Sequence, residues 1–221
     1  MDPQFWRERW QRGETGFHQS QVNADLRVLW PRLQCPPSAP VFVPLCGKSP
    51  DMAWLRAQRH KVIGIDLSEL AVASFFAEQQ LQPVREASGA LQCWRAPGYE
   101  LYVGDFFELG AEPLAQVRAV YDRAALIALP APLRARYARH LSATLPAGCK
   151  MLLLTMDYPQ EQMAGPPFAV TEAEVHSLFA SDFSVRQLAS RDALLDEPRF
   201  QKRGLQSRHE QAYLLERLRA R

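Results

Sequence analysis

A glycine and a carboxylate stand at the ends of two predicted strands, and together they could hold a nucleoside. The segment 44–49, PLCGKS, directly follows the apolar run 41–43 and contains one glycine, Gly47. A dinucleotide-binding turn needs the three glycines of GxGxxG, and a P-loop needs a glycine five residues before Gly47. The segment fits neither phosphate cradle, so we expect a nucleotide without a pyrophosphate.

Asp66 ends the second predicted strand, nineteen residues after Gly47. This is close to the interval of about 20 residues at which an acidic side chain meets ribose hydroxyls in nucleotide-binding βαβ units. A close-approach glycine and a ribose-binding acid without a phosphate cradle suit an adenosine that carries a sulfonium amino acid. The structural alternative is that Asp66 caps the following helix through a turn.

Two further strand ends carry polar and aromatic side chains. We expect Asp105 and Phe106, after the third predicted strand, to contact an adenine ring, and Arg123, after the fourth, to face the reacting group. The alternatives are a solvated turn for Asp105 and a surface ion pair with Asp122 for Arg123.

The aromatic residues Trp6, Trp10 and Phe17 predict a lid that closes over a flat acceptor and holds a cationic donor against its ring faces. The alternative, compatible with this, is a hydrophobic stripe that packs the first helix on the sheet. Cys46 lacks a neighbouring His or acid, so a small apolar filler is favoured over a nucleophile. The five histidines lack metal-ligand spacing, and we expect no metal.

The elements that position these residues alternate between short β-rich runs and amphipathic stretches, which favours an α/β fold with a mostly parallel sheet. Seven strands are predicted, at 41–43, 62–65, 100–103, 119–121, 151–155, 183–188 and 210–215. Helices are predicted near the N-terminus, at 23–30, and at 51–59, 69–80, 132–144 and 171–179.

The last two predicted strands lack a clean crossover helix between them, so we expect them to pair antiparallel and to place one reversed strand on the parallel sheet. That arrangement is characteristic of S-adenosylmethionine-dependent methyltransferases, with a Rossmann-like sheet. Residues 1–221 are predicted to form a single domain, in which residues 1–38 are a helical cover over the cofactor site.

Composition narrows the class of protein further. The 221 residues are 47% apolar with a net charge of +2, which gives no strong field for a polyanion, so nucleic acid is not an expected partner. The four cysteines form no CxxC pair and the N-terminus lacks the apolar core of a signal peptide, which indicates the cytoplasm. We expect no membrane segment and a monomer.

The sequence resembles the thiopurine S-methyltransferase family, and its bacterial branch in particular, along nearly the whole chain. The motifs that carry the resemblance are WRERW (6–10), GETGFH (13–18), VPLCGK (43–48), VIGIDLSE (62–69), YDRAAL (121–126) and GPPF (165–168). The sequence departs from the family at Asp66, where Glu is usual, and at Ala124, where Gly is frequent. The shorter Asp66 would make a looser or water-mediated ribose contact.

The resemblance implies S-adenosylmethionine as methyl donor and thiopurines or other aromatic thiols as small-molecule acceptors. It assigns cofactor contacts to Trp10, Leu45, Asp66 and Arg123, and it places Asp105 and Phe106 near the adenine. It also places Phe17 and Arg199 near the acceptor.

Transfer of a methyl group from a sulfonium to a thiolate cancels charge, so alignment and exclusion of water matter more than a strong base. We expect Arg123, the candidate catalytic residue, or Arg199 to favour the thiolate by its positive charge. The resemblance to the bacterial branch also implies selenium and tellurium compounds as further candidate acceptors. Two alternatives remain open, a nucleotide-dependent oxidoreductase and a protein that binds S-adenosylmethionine without catalysis.

Overall fold

Residues 3–219, the part of the chain described by the computed structural model, form one nine-stranded sheet flanked by helices. The strands are β1 (Val41–Pro44), β2 (Val62–Asp66), β3 (Val84–Ser88), β4 (Leu91–Ala96), β5 (Tyr99–Val103), β6 (Ala119–Arg123), β7 (Lys150–Asp157), β8 (Phe183–Asp192) and β9 (His209–Arg217). Their order across the sheet is β3-β4-β5-β2-β1-β6-β7-β9-β8. The strands β5, β2, β1, β6 and β7 run parallel.

The helices are α1 (Pro3–Gln11), α2 (Ala24–Leu29), α3 (Pro50–Ala57), α4 (Glu69–Glu78), α5 (Ala131–Thr144), α6 (Glu172–Phe179) and α7 (Pro198–Lys202). Side chains cap the first turns of α4 and α6, because Ser68 accepts from the N–H of Ala71 and Thr171 accepts from the N–H of Glu174. None of the helices within residues 3–219 has the length and apolar character that a membrane crossing requires.

The central strands are buried on both faces, which is why they consist of continuous apolar runs. Side chains of successive residues point to opposite faces. Phe42 packs in the same cluster as Leu141 of α5 and Val175 of α6. Its neighbours on β1 pack instead with Leu26 of α2 and residues of α3 and α4. The sheet is therefore covered by helices on both sides, which leaves the strand ends for a site.

The α/β methyltransferase-type sheet is confirmed, but the predicted count of seven strands is wrong. The structure adds the hairpin β3-β4 at the β5 edge, joined by a two-residue turn at Gly89 and Ala90. Most of β3 is exposed on this edge, so its sequence shows no alternation of apolar and polar residues. Without that alternation the sequence pattern did not indicate a strand.

The sheet in the described part of the chain contains two reversed strands, and not the single one predicted. The strand β9 pairs antiparallel with both β7 and β8, as predicted for the last two strands. The added hairpin supplies a second reversed strand, because β4 pairs antiparallel with both β3 and β5. The parallel centre of the sheet keeps the predicted arrangement.

Candidate active site

The nine residues selected from the sequence line one cavity of about 420 Å3. They are Trp10, Phe17, Leu45, Gly47, Asp66, Asp105, Phe106, Arg123 and Arg199. Most follow or end the parallel strands β1, β2, β5 and β6, whose carboxyl ends meet at one edge of the sheet. The two N-terminal aromatics and Arg199 reach the same space from outside the sheet.

The loop after β1 approaches the N-terminal cover so closely that it requires glycine. Gly47 has a φ of +52°, and a Cβ atom there would lie 2.9 Å from Cζ2 of Trp10. Leu45, two residues earlier, also has a positive φ of 46° although it carries a side chain. Such backbone strain concentrates where structure is dictated by a site. The loop is therefore shaped to bring its backbone to the cavity.

Asp66 closes the cavity wall beside this loop. Its Oδ2 accepts from the N–H of Gly47 at 2.7 Å, and its Oδ1 accepts from the N–H of Ser68 at 2.8 Å. The turn role is thus present, yet each oxygen keeps a lone pair for a further donor such as a ribose hydroxyl. Asp66 is 8% exposed, and burial raises its pKa to about 6. The fixed carboxylate suits recognition of a diol.

The two residues expected near an adenine differ in exposure. Phe106 is buried, with its ring centroid 4.8 Å from that of Tyr137 and 4.8 Å from that of His140. Asp105 is exposed and accepts from the N–H of Phe107 at 3.0 Å, so it does form the turn considered as an alternative. Phe107, next to Phe106 in the sequence, also lines the cavity, although it is not among the predicted contact residues.

Arg123 points into the cavity and does not pair with its neighbour in sequence. Asp122 is fully buried and accepts from the hydroxyl of Tyr137 at 2.7 Å and from the N–H of Leu126 at 3.2 Å. The alternative of a surface ion pair is wrong, because successive residues of a strand face opposite sides of the sheet. Arg123 donates through Nη2 to the carbonyl of Phe17 at 3.3 Å.

Arg199 approaches the cover from the opposite end of the chain. Its Nη1 donates to the carbonyl of Gly16, and its Nη2 forms an ion pair with Glu197. Two guanidinium groups from distant segments thus contact consecutive carbonyl groups of the cover. The family resemblance implies Arg199 near the acceptor but gives no indication of Glu197, whose contact depends on how this loop folds.

The aromatic cover packs on itself as well as on the site. The ring of Phe17 makes edge-to-face contacts with Trp6 and Trp10, at centroid distances of 5.6 and 5.5 Å. Trp10 is 8% exposed and reaches Gly47. The two interpretations of the stripe, hydrophobic packing and cavity lid, are therefore both compatible with its position.

Cys46 is buried, and burial raises its pKa well above the usual range of a thiol. A protonated thiol is a poor nucleophile, so the filler interpretation holds. In the part of the chain that the structure covers, no three His, Cys, Asp or Glu side chains are grouped so that they could hold a metal ion.

Solved structures share the fold. The 1,6-didemethyltoxoflavin-N1-methyltransferase of Burkholderia thailandensis, determined with 1,6-didemethyltoxoflavin and S-adenosylhomocysteine, superposes with a TM-score of 0.68. It is 17% identical, and the match covers 98% of this chain and 87% of that one. A methyltransferase of Anabaena variabilis gives a TM-score of 0.67 at 16% identity, covering 97% and 94% of the two chains. These likenesses show the fold, which the chain shares with S-adenosylmethionine-dependent methyltransferases.

The sequence comparisons narrow that class to one family. The family model for thiopurine S-methyltransferase matches residues 1–218. The thiopurine S-methyltransferase of Xanthomonas campestris pv. campestris strain 8004 is 51% identical over 98% of this chain and 100% of its own length. That of Azotobacter vinelandii is 49% identical with the same coverage. The chain belongs to the thiopurine S-methyltransferase family, and S-adenosylmethionine is its cofactor.

The residues present fit this cofactor. The wall offers a buried carboxylate at Asp66 and backbone brought close by Gly47, and the described part of the cavity lining carries no glycine-rich phosphate cradle. The aromatic cover supplies ring faces, which attract a sulfonium cation as they attract other cations. A nucleoside with a cationic amino-acid arm matches these features better than a dinucleotide does.

Proposed function

We propose that the protein transfers a methyl group to the sulfur of thiopurines and of other aromatic or heterocyclic thiols. The observation that carries the proposal is the pair Arg123 and Arg199, two cations that line a largely apolar cavity beside the cofactor-type carboxylate Asp66. A flat ring that bears a thiolate matches that combination of charge and apolar surface. The names of the relatives at about 50% identity support the same acceptor class.

In this proposal Trp10, Leu45, Gly47 and Asp66 hold the cofactor, with Asp105, Phe106 and Arg123 also in contact. The cofactor supplies an electrophilic methyl group on a sulfonium. Asp66 binds the ribose hydroxyls as a hydrogen-bond acceptor, since Gly47 and Ser68 already fix its orientation. The cover excludes water from the reacting atoms.

Phe17 and Arg199 bind the acceptor, and Arg123 acts as the catalytic residue by stabilising the thiolate. An aryl thiol needs little help to ionise, so a nearby positive charge that lowers its pKa replaces a general base. The reaction then depends mainly on alignment of the two partners.

Turnover of 6-mercaptopurine with S-adenosylmethionine tests the proposal directly, and product formation is the expected result. Replacing Arg123 and Arg199 together with Met should raise the apparent acceptor pKa in the pH-rate profile. An unchanged profile would remove the arginines from the mechanism. No turnover across a panel of aromatic thiols would refute the acceptor class.

Titration with S-adenosylmethionine, S-adenosylhomocysteine and NAD separates the alternatives. Binding of NAD would favour an oxidoreductase, and cofactor binding without turnover would favour a non-catalytic binding protein. We include selenium and tellurium compounds in the acceptor range because their soft nucleophilic atoms resemble a thiolate. We also propose a cytoplasmic monomer, which the four unpaired cysteines support for the compartment.

A further inference from the structure

Arg208 lines the cavity and has an immobile side chain. Its side chain is only 1% exposed. Its Nε and Nη2 donate to the carbonyl of Ala193 at 3.1 and 2.6 Å, and its Nη1 donates to Glu210 at 2.9 Å. A buried guanidinium with this many partners has little freedom to move.

Glu197 connects the buried Arg208 to the more exposed Arg199. One carboxylate oxygen lies 3.8 Å from Nη1 of Arg208, and the other forms an ion pair with Nη2 of Arg199. Both guanidinium groups also lie over the buried ring of Phe200, at 4.7 Å for Arg208 and 4.9 Å for Arg199. Glu197 and Phe200 thus set the position of Arg199 from two sides.

Arg199 needs such support because its side chain is 47% exposed. A free arginine side chain loses rotamer entropy when it is fixed, so a partner that orients it in advance favours its contacts. Held by Glu197, its Nη1 donates to the carbonyl of Gly16, one residue before the carbonyl that Arg123 contacts. The cover segment that carries Phe17 is therefore fastened at two consecutive carbonyls.

We propose that Glu197 is a positioning residue that keeps the N-terminal cover closed over the cofactor by holding Arg199 on the carbonyl of Gly16. The effect passes from Arg208 through Glu197 and Arg199 to the cover, and then through Phe17 and Trp10 to the loop at Gly47. The inference rests on the proposed function only in that the cavity binds S-adenosylmethionine and its product.

The test is the affinity for S-adenosylhomocysteine, measured by isothermal titration on the full chain without acceptor. Glu197→Gln keeps the size of the side chain and removes its charge, and it should weaken binding about tenfold, the worth of a charge-assisted hydrogen bond. Trypsin should also cut faster after Arg12 in the cofactor-bound variant, because the cover opens more often. Affinity and cleavage equal to those of the parent would overturn the proposal.

Two further variants separate positioning from general damage. Asp196→Asn removes a charge from the same loop, but Asp196 pairs with Arg191 and makes no bond to Arg199. It should leave the affinity within about twofold of the parent. In a background of Arg199→Met, Glu197→Gln should cause no further loss, because Glu197 acts through Arg199. Additive losses of affinity in the double variant, or an equal loss in Asp196→Asn, would contradict the proposal that Glu197 acts through Arg199.

The parent protein makes the two hypotheses distinguishable. If the parent failed to bind S-adenosylhomocysteine, the cofactor assignment itself would be wrong. If the parent binds it and the Glu197 variant binds it equally well, the proposed function stands and the positioning role alone falls.

Discussion

The Asp66 carboxylate is buried, and the ribose contact proposed for it depends on its charge. Two backbone N–H groups orient it, and burial raises its pKa to about 6. Above this pH it is ionised and can accept from two ribose hydroxyls. As the pH falls through about 6 it takes up a proton and loses part of its accepting capacity.

Affinity for S-adenosylhomocysteine should therefore be constant above pH 7 and decline below it. We expect binding about tenfold weaker at pH 5 than at pH 7, since each pH unit below the pKa costs up to tenfold. Isothermal titration across this range measures the effect. His18 also lines the cavity and has a pKa lowered by burial, so a control is needed.

Asp66→Asn provides that control, because its amide does not titrate. The variant should bind weakly at pH 7 and keep nearly the same affinity at pH 5. A decline as steep as that of the parent would assign the titration to another group, such as His18.

The sequence predicts those cavity residues that lie at the ends of strands, such as Asp66 and Arg123. It does not predict Glu197 or the contact between Arg199 and Gly16, which are 183 positions from each other in the chain. Spacing rules describe a residue and its neighbours along one element. A contact between distant loops depends on how each loop packs.

At the scale of elements, the partly buried carboxylate of Glu174 in α6 forms an ion pair with Arg134 of α5. The Nε of Arg134 donates to Glu174 at 2.7 Å and its Nη2 donates to the other oxygen at 3.0 Å. Nη1 donates to the carbonyl of Leu129 at 2.9 Å. Arg134 is 6% exposed, so it depends on these partners to compensate a buried charge.

Glu174→Gln should lower the free energy of unfolding by about 2 kcal/mol, because it leaves the buried charge of Arg134 without its counterion. The cost stays below that of a fully buried pair because water reaches the side chain at position 174. Urea denaturation monitored by circular dichroism gives the measurement. Glu172→Gln, at an exposed position of the same helix, should change stability by no more than about 0.5 kcal/mol. Equal effects of the two substitutions would show that the ion pair is not responsible.

Elements buried on both faces are those the sequence predicts best, as for β1 and β2, because continuous apolar runs between turns have few other interpretations. The hairpin β3-β4 was missed for the opposite reason. Its outer strand meets solvent, and in β4 the alternation is interrupted by the adjacent buried residues Cys93 and Trp94. Gly89, with a φ of +60° in the turn, was the available signal.

Across the whole molecule, His60 joins three segments that are separate in sequence. Its Nε2 accepts from the indole N–H of Trp30 at 3.1 Å, and its Nδ1 lies 3.0 Å from the carbonyl of Ala39. Indole is a donor only, so Nδ1 carries the proton and donates to Ala39. The end of α2 is thereby attached to the loop before β2, a contact that the sequence pattern did not indicate.

Protonation of His60 would place a second N–H opposite the donor of Trp30. Burial lowers the pKa of His60 below its ordinary value near 6.5, so the unfolded chain takes up the proton first as the pH falls. The stabilisation from neutral His60 is thus complete above pH 6.5 and declines below it. The decline can reach about 1.4 kcal/mol per pH unit.

His60→Gln tests this contribution, because glutamine does not titrate and keeps an oxygen that can accept from Trp30. Asp66 and Asp122, whose pKa values burial raises to about 6, change stability in the opposite direction over the same range. The quantity to compare is therefore the difference in unfolding free energy between parent and variant. From pH 7.5 to pH 5 that difference should shift against the parent, and parallel pH profiles would show that protonation of His60 does not affect the stability of the fold.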